Sequence, residues 1–281
     1  MRLTQQQIND FKEKGYLVIP NVLNSDEVQL LRKRIIEIFD SGEWKKSPFN
    51  TQKVLAQVYD YFPEFIEISL KKEVIEILTD LCGSQPVLMP ETGIHYKFYT
   101  GWHKDTSTME KSGETFHLKE GCLLLQCGFY LQDNSDQHGG GLTVMEASHK
   151  TSDSFITTNI EHTFFDKVKI KTGMYSEEKN KKINPHKHKI IDLKSKAGDF
   201  VIFNMKTNHR ATHPSNGLHD TVPEEIAKLA LFNAFTSDNF SSEEYFRYIS
   251  SRPEPFYQSL KKRQFNEQLN EAATRLNFKV K

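Results

Sequence analysis

Short runs of β-branched and aromatic residues, separated by turn residues, follow one another from Pro86 to about residue 240. Such spacing is typical of strands in an antiparallel barrel or sandwich. The runs that predict strands span residues 94–99, 122–131, 142–145, 189–193, 200–203 and 228–235. The chain is therefore expected to be mainly β in this region.

Helical patterns flank the β-rich region. Capping signals and glycine stops predict helices over residues 4–14, 24–42 and 64–81, and an amphipathic pattern predicts a last helix over 258–276. A strand is predicted at residues 16–19. Because most helices come before or after the strands, we expect one β core with helices packed outside it. We predict a single domain over residues 1–281, with a helical N-terminal support (1–85), the β core (86–240) and C-terminal helices (241–281).

The charge balance argues against a polyanionic partner. Lys and Arg number 37, as do Asp and Glu, so the formal net charge is +0 with His neutral. This gives no sign of a nucleic-acid footprint or of an anionic membrane surface as a partner. The N-terminus has no apolar secretory segment, and no apolar run reaches the roughly 18 residues that a membrane span needs. We expect a cytoplasmic protein without a membrane span.

Residues 152–189 are the least regular part of the β-rich region, and they contain a charged run at 176–182. One interpretation is a solvated surface loop. The other is a lid, because long loops in compact domains often cover active sites. The sequence leaves both open.

His103 and Asp105 are separated by one residue, and His209 lies about a hundred residues further on. In a strand, residues two apart point to the same side, so His103 and Asp105 could reach one metal ion. Two His and one carboxylate match the facial triad that binds non-haem Fe(II) and leaves three coordination positions open. A His-x-Asp motif alone is common by chance, so its weight depends on the surrounding sequence.

Four sequence blocks supply that context, in the order found in a known family. They are residues 11–23, residues 102–105, the glycine-rich 139–150 ending in Ser148-His149-Lys150, and 197–203, which leads to His209. With these blocks the chain resembles the phytanoyl-CoA dioxygenase family of Fe(II)- and 2-oxoglutarate-dependent oxygenases. The resemblance implies a double-stranded β-helix (jelly-roll, cupin-like) core. It also implies His103, Asp105 and His209 as iron ligands, with Fe(II), 2-oxoglutarate and O2 as cofactor and co-substrates.

The same resemblance points to a 2-oxoglutarate anchor, where this chain departs from the family. Lys228 aligns with a family arginine; a lysine can hold a carboxylate as a point charge but lacks the bidentate fork. Phe129 aligns with an aromatic residue near the co-substrate, and Lys97 is a further candidate contact. Ala211 stands where relatives often carry a hydroxyl residue. Core packing for Phe129 and a surface position for Lys97 or Lys228 remain alternatives.

The substrate is expected to be a small molecule, and Trp102, Thr106 and Ser107 are weak candidates for contacting it. Cationic residues such as Lys97 and Arg247 hint at a carboxylated substrate. The family chemistry predicts oxidation of an unactivated C–H bond, by hydroxylation or by desaturation or cyclisation, in secondary or specialised metabolism. A non-catalytic jelly-roll binding protein is the main alternative. A halogenase is less favoured, because related halogenases have a small residue at the position of Asp105.

Overall fold

The computed structural model describes residues 1–151, 186–262 and 265–281, so most of the predicted lid-like insertion, residues 152–185, lies outside the described residues. Two sheets form the core, a seven-stranded sheet in the order β1-β7-β4-β9-β3-β10 with β2 also paired to β3, and a three-stranded sheet in the order β6-β5-β8. The strands are β1 (Tyr16–Ile19), β2 (Val54–Ala56), β3 (Pro86–Tyr96), β4 (Leu124–Tyr130), β5 (Leu142–Met145), β6 (Ile190–Asp192), β7 (Phe200–Asn204), β8 (His209–Ala211), β9 (Leu229–Ser237) and β10 (Lys279–Val280).

The two sheets share a buried cluster that joins Tyr130 and Phe203 of the large sheet to Leu142 and Val144 of the small one. Pairing is antiparallel except between β10 and β3. This arrangement confirms the predicted mainly β, jelly-roll core. The large sheet also takes β1, β2 and β10 from outside residues 86–240, so the flanking segments contribute strands as well as helices.

Helices pack against the large sheet, most of them on its outer face, whereas Met109 and Tyr245 belong to a separate cluster with Leu124 and Ala234 on the face that carries Gln126. The helices are α1 (Gln5–Lys14), α2 (Ser25–Ser41), α3 (Val58–Tyr61), α4 (Ile66–Ser69), α5 (Lys72–Cys82), α6 (Ser107–Lys111), α7 (Phe240–Ser251), α8 (Pro255–Ser259) and α9 (Glu267–Leu276). Capping boxes at Thr4 and Asn24 begin α1 and α2, and left-handed glycines at Gly15 and Gly42 end them, as predicted. Within the described ranges, every helix is too short or too polar to cross a bilayer.

Alternation along the central strands decides which side chains face the small sheet. Leu125, Cys127 and Phe129 of β4 belong to the cluster under the helices, whereas Tyr130 belongs to the cluster between the sheets. On β9, Leu229 likewise faces the helices. Only every second residue of each strand can therefore contribute its side chain to a site between the sheets.

Two predicted helices are wrong as single elements. The predicted helix over 64–81 is interrupted at Leu70 and Lys71, where ψ is 47° and 156°, so α4 and α5 are separate. The predicted helix over 258–276 is also divided, because Asn266 has extended ψ and begins α9 as an N-cap. Apolar periodicity continues across both breaks, which is why the sequence pattern did not reveal them.

β3 is longer than predicted and begins at Pro86 rather than at residue 94. Pro86 and Pro90 read as breakers in the sequence. The structure accommodates them because the pairing of β3 with β9 shifts register between Leu88 and Thr92. This irregular stretch contains Glu91, which becomes important below.

Gly128 allows β4 and β9 to approach each other closely. A Cβ at this position would lie 2.1 Å from the Leu231 carbonyl oxygen and 2.9 Å from the Phe232 ring. Gly128→Ala is expected to destabilise the protein by about 1–3 kcal/mol, because the core must shift to admit the methyl group. Urea unfolding measures this loss, with Gly93→Ala as a milder control since its Cβ would meet only the Leu55 carbonyl at 3.0 Å. A loss no larger than that of the control would contradict the close approach.

Candidate metal centre

β8 and the segment before α6 bring the three predicted metal ligands together. The backbones of His103 and His209 exchange both N–H···O bonds at 2.9 Å, as directly opposed antiparallel residues do. Opposed residues project to the same face, and the two imidazole rings lie 4.2 Å apart. The Asp105 N–H donates to the Met205 carbonyl at 3.0 Å, which holds the carboxylate beside them.

The donor atoms of this His103–Asp105–His209 cluster converge. Asp105 Oδ1 lies 3.5 Å from His103 Nε2 and 3.8 Å from His209 Nε2, and one donor atom from each residue lies within 4.8 Å of the others. Asp105 Oδ2 is buried without a hydrogen-bond partner among the described residues. A buried carboxylate oxygen without a partner is costly in a folded protein, so this arrangement fits a bound cation.

Backbone carbonyls fix the orientation of both imidazoles. His103 Nδ1 lies 2.8 Å from the Gly101 oxygen, and His209 Nδ1 lies 3.0 Å from the Thr207 oxygen. A carbonyl only accepts, so Nδ1–H donates in each ring, and the Nε2 lone pair of a neutral ring is left for a metal. Two imidazole nitrogens and one carboxylate are the donor set of non-haem Fe(II) centres.

The electrostatics of the cluster agree with this assignment. Burial lowers the pKa of His209 to about 4, so its ring is neutral at pH 7. Burial opposes ionisation of Asp105, but the neighbouring His209 and His103 bring the pKa of its carboxyl below the usual value. Burial also disfavours a charged His103, yet its hydrogen bond to Asp105 raises the pKa of that ring. A metal must therefore displace a proton from His103 when that ring is charged.

The cluster opens on a cavity of about 740 Å³ between the two sheets. Strand residues on the cavity wall include Glu91, His95, Gln126, Tyr130, Leu142, Phe203, Ala211, Lys228 and Phe232. The volume is within the range of pockets that bind small molecules. A metal centre in the wall of such a cavity can act on a ligand held inside it.

Lys228 is a buried cation in the same cavity. Its side chain is only 3% exposed, and Nζ donates to the Phe98 carbonyl at 2.6 Å. Burial lowers the pKa of Lys228 to about 7. The structure therefore places this predicted residue in the wall of the cavity that the metal cluster also lines, and excludes a surface position.

Comparison with known proteins identifies the family. The profile of the Phytanoyl-CoA dioxygenase (PhyH) family matches residues 11–217. The chain belongs to this family. The predicted enzyme class, a 2-oxoglutarate-dependent non-haem iron dioxygenase that uses Fe(II), 2-oxoglutarate and O2, is thereby confirmed.

The following similar proteins share less than a quarter of their aligned residues with this chain. The ectoine dioxygenase of Sphingopyxis alaskensis is 23% identical over 253 residues, which cover 84% of this chain and 77% of that protein. The crystal structure of EctD from S. alaskensis with 2-oxoglutarate and 5-hydroxyectoine matches with a TM-score of 0.60 at 17% identity, over 84% of this chain and 76% of that one. SnoK, a non-haem α-ketoglutarate-dependent carbocyclase from nogalamycin biosynthesis, matches with a TM-score of 0.56 at 17% identity, over 84% of each chain. These structural matches support the jelly-roll fold.

Two other predicted co-substrate residues of this PhyH chain lie away from the cavity wall. Phe129 packs against Phe200 on the helix-facing side of β4, because alternation along the strand turns it to the same face as Leu125 and Cys127. β3 ends before Lys97, whose φ of 50° breaks the alternation that would have turned it inward. The Lys97 ammonium pairs with Glu224 instead.

Of the three residues predicted to contact the substrate, one lies in the cavity wall and two lie outside it. Ser107 lies in the cavity wall, whereas the buried Thr106 and the half-buried Trp102 lie outside it. The Arg210 guanidinium lies 4.9 Å from the Trp102 ring, so these two residues pack together beside the metal cluster.

Several wall residues were not found from the sequence. His95 lies in a predicted strand with inward parity, and burial lowers its pKa to about 3, so it is a neutral hydrogen-bonding group. Gln126 faces the cavity from the side of β4 opposite to Phe129, and strict alternation along the strand could have indicated this position. Glu91, Tyr245 and Tyr257 come from the irregular part of β3 and from the C-terminal helices, where the sequence carried no signal for a site.

Proposed function

We propose that this chain oxidises an unactivated C–H bond of a small molecule, with hydroxylation as the simplest outcome. The observation that carries the proposal is the convergence of His103, Asp105 and His209 on the wall of a 740 Å³ cavity. Three protein donors leave three coordination positions, enough for a bidentate co-substrate and O2. Iron, 2-oxoglutarate and O2, when bound, supply the oxidising power.

The protein would contribute position and electrostatics. His103, Asp105 and His209 would hold the iron, with their Nε2 and carboxylate oxygens directed at the cavity. Lys228 would bind the far carboxylate of 2-oxoglutarate, in place of the family arginine. The walls between the sheets would fix the target carbon and keep bulk water out.

Asp105 favours oxygenation over halogenation. Its carboxylate would supply a ligand to the iron where the small residue of related halogenases leaves room for chloride. The role in secondary or specialised metabolism remains a prediction from the sequence, as does oxidation by hydroxylation or by desaturation or cyclisation.

Succinate formation tests the proposal. The protein is loaded with Fe(II) and 2-oxoglutarate in air and incubated without substrate and with panels of amines, amino acids and terpenoid acids. We expect iron-dependent succinate release that one panel member stimulates and His209→Ala abolishes. Binding of both cofactors without turnover in any condition would support the non-catalytic alternative instead.

The pH dependence of 2-oxoglutarate binding provides a test of Lys228. With a pKa of about 7 in the free protein, Lys228 is charged below pH 7 and increasingly neutral above it. The affinity for the dianionic co-substrate should therefore fall as pH rises through 7, by up to about tenfold per unit, until the pKa of the complex is reached. His95 and Tyr99 also face Lys228, but His95 is neutral across this range.

Lys228→Arg is the matched control, because a guanidinium stays charged in proteins. Titration of the anaerobic Fe(II) protein with 2-oxoglutarate between pH 6 and 9 measures how the affinity changes with pH. The variant should lose the decline above pH 7. An equal decline in both proteins would assign it to another group.

A further inference from the structure

The cavity wall also carries an acidic group that the proposed chemistry does not use, the carboxyl of Glu91. Glu91 and His95 are four residues apart on β3, roughly 13 Å along the strand, and both line the cavity. His95 pairs with Ala230, two residues from Lys228 on β9. Lys228 and His95 therefore mark one end of the cavity, and Glu91 marks the other.

Two tyrosines from the C-terminal helices hold the Glu91 carboxyl in place. The Tyr245 hydroxyl of α7 donates to Oε2, and the Tyr257 hydroxyl of α8 donates to Oε1 at 3.2 Å. Burial raises the pKa of Glu91. The carboxyl is thus oriented and desolvated beside space that a ligand can enter.

Glu91 makes no salt bridge with any residue that the structure describes, although cations lie near. Arg252 pairs with Glu254 at 2.6 Å and stacks over Tyr257 at 3.9 Å. Lys104 directs Nζ to the Ser148 and Thr151 carbonyls. Arg252 therefore attracts the Glu91 carboxyl through space without pairing with it, and among the described residues no ion pair joins Glu91 to Lys104 or to Lys111, another basic residue of the cavity wall.

We infer that Glu91, with Tyr245 and Tyr257, binds a cationic nitrogen of the substrate, such as an ammonium, amidinium or guanidinium group. A carboxylate in a desolvated cavity gains most from a charged N–H donor, which forms a stronger hydrogen bond than a neutral donor. The tyrosine rings add faces that attract a cation. The inference rests on the proposed function, since it assigns the substrate of that site.

The two cations from which the sequence suggested a carboxylated substrate lie outside the cavity wall. Lys97 pairs with Glu224, and Arg247 pairs with Glu114 at 2.7 Å; neither lies in the cavity wall. The acidic group at the substrate end is the better guide to the ligand.

Four probes of matched length test the inference: n-butylammonium, n-butylguanidinium, n-butanol and butyrate. Each is titrated into anaerobic protein loaded with Fe(II) and 2-oxoglutarate, and the visible charge-transfer band and the melting temperature are followed. The wild type should bind the two cations and respond little to butanol or butyrate. Glu91→Gln, which retains an oxygen acceptor for one tyrosine hydroxyl and offers an N–H donor to the other, should bind the cations roughly 10- to 100-fold more weakly.

Glu120→Gln is the control for net charge, since Glu120 is exposed and outside the cavity wall; it should bind like the wild type. Equal cation binding by wild type and Glu91→Gln would overturn the inference. So would a wild type that prefers butyrate or butanol, or binds neither cation at the highest soluble concentration. If the band forms but no cation perturbs it, only this inference fails. If the band never forms while cations still raise the melting temperature, the proposed function fails and this inference stands.

Discussion

Asp105→Ala and His209→Ala are each expected to lose tightly bound iron and to lower 2-oxoglutarate turnover by more than about 100-fold. This exceeds the 10- to 100-fold typical for loss of an outer-shell partner, because a direct ligand is removed. Each substitution removes one of three donors that lie within 4.8 Å of one another, and Asp105→Ala also removes the only negative charge of the donor set. Iron content after desalting and the rate of succinate formation measure the effect.

His213→Ala is the matched control for these substitutions. His213 lies four residues from His209 but forms its hydrogen bond with His219 at 2.8 Å, outside the metal cluster. The control should retain iron and most activity, and melting curves should show that all variants fold. Wild-type iron content and turnover in either ligand variant, or loss of iron in His213→Ala, would contradict the assignment of ligands.

Lys228→Met should raise the KM for 2-oxoglutarate by about 100-fold or more. The substitution keeps an unbranched side chain in a buried position but removes the charge that would face the co-substrate carboxylate. Removing one partner of a buried, hydrogen-bonded charge pair costs about 2–5 kcal/mol. Lys228→Arg should remain much closer to the wild type if its longer side chain is accommodated.

Lys97→Met tests which of the two lysines proposed from the sequence binds 2-oxoglutarate. Lys97 pairs with Glu224 and lies outside the cavity wall, so its loss should leave the KM for 2-oxoglutarate nearly unchanged. Initial rates of succinate formation across 2-oxoglutarate concentrations compare the variants. A large effect of Lys97→Met with none from Lys228→Met would place the anchor elsewhere.

The sequence predicted much of the fold because its local signals agree with the packing. Thr4 and Asn24 cap α1 and α2, and the pattern at residues 142–145 gave β5 with its bounds. The His-x-Asp pair meets although Asp105 lies in a turn rather than in a strand, because backbone bonds from His103 to His209 and from Asp105 to Met205 hold the two side chains together. The distal His209 required the family resemblance, since only tertiary pairing brings it opposite His103.

The rest depended on features that a single sequence does not expose. β4 is buried on both faces, so hydrophobicity could not tell which face Phe129 occupies. The positive φ of Lys97 ends β3 at Tyr96, three residues before the predicted end of the strand at residue 99. Glu91 enters the cavity from an irregular, proline-containing stretch, and its tyrosine partners come from helices more than 150 residues later.

Anaerobic titration with Fe(II) in the presence of 2-oxoglutarate examines the metal centre most directly. The account predicts a visible charge-transfer band that saturates at one iron per chain in the wild type and is absent in His209→Ala. A wild type that takes up no iron and develops no band would contradict it, as would a band of equal strength in His209→Ala.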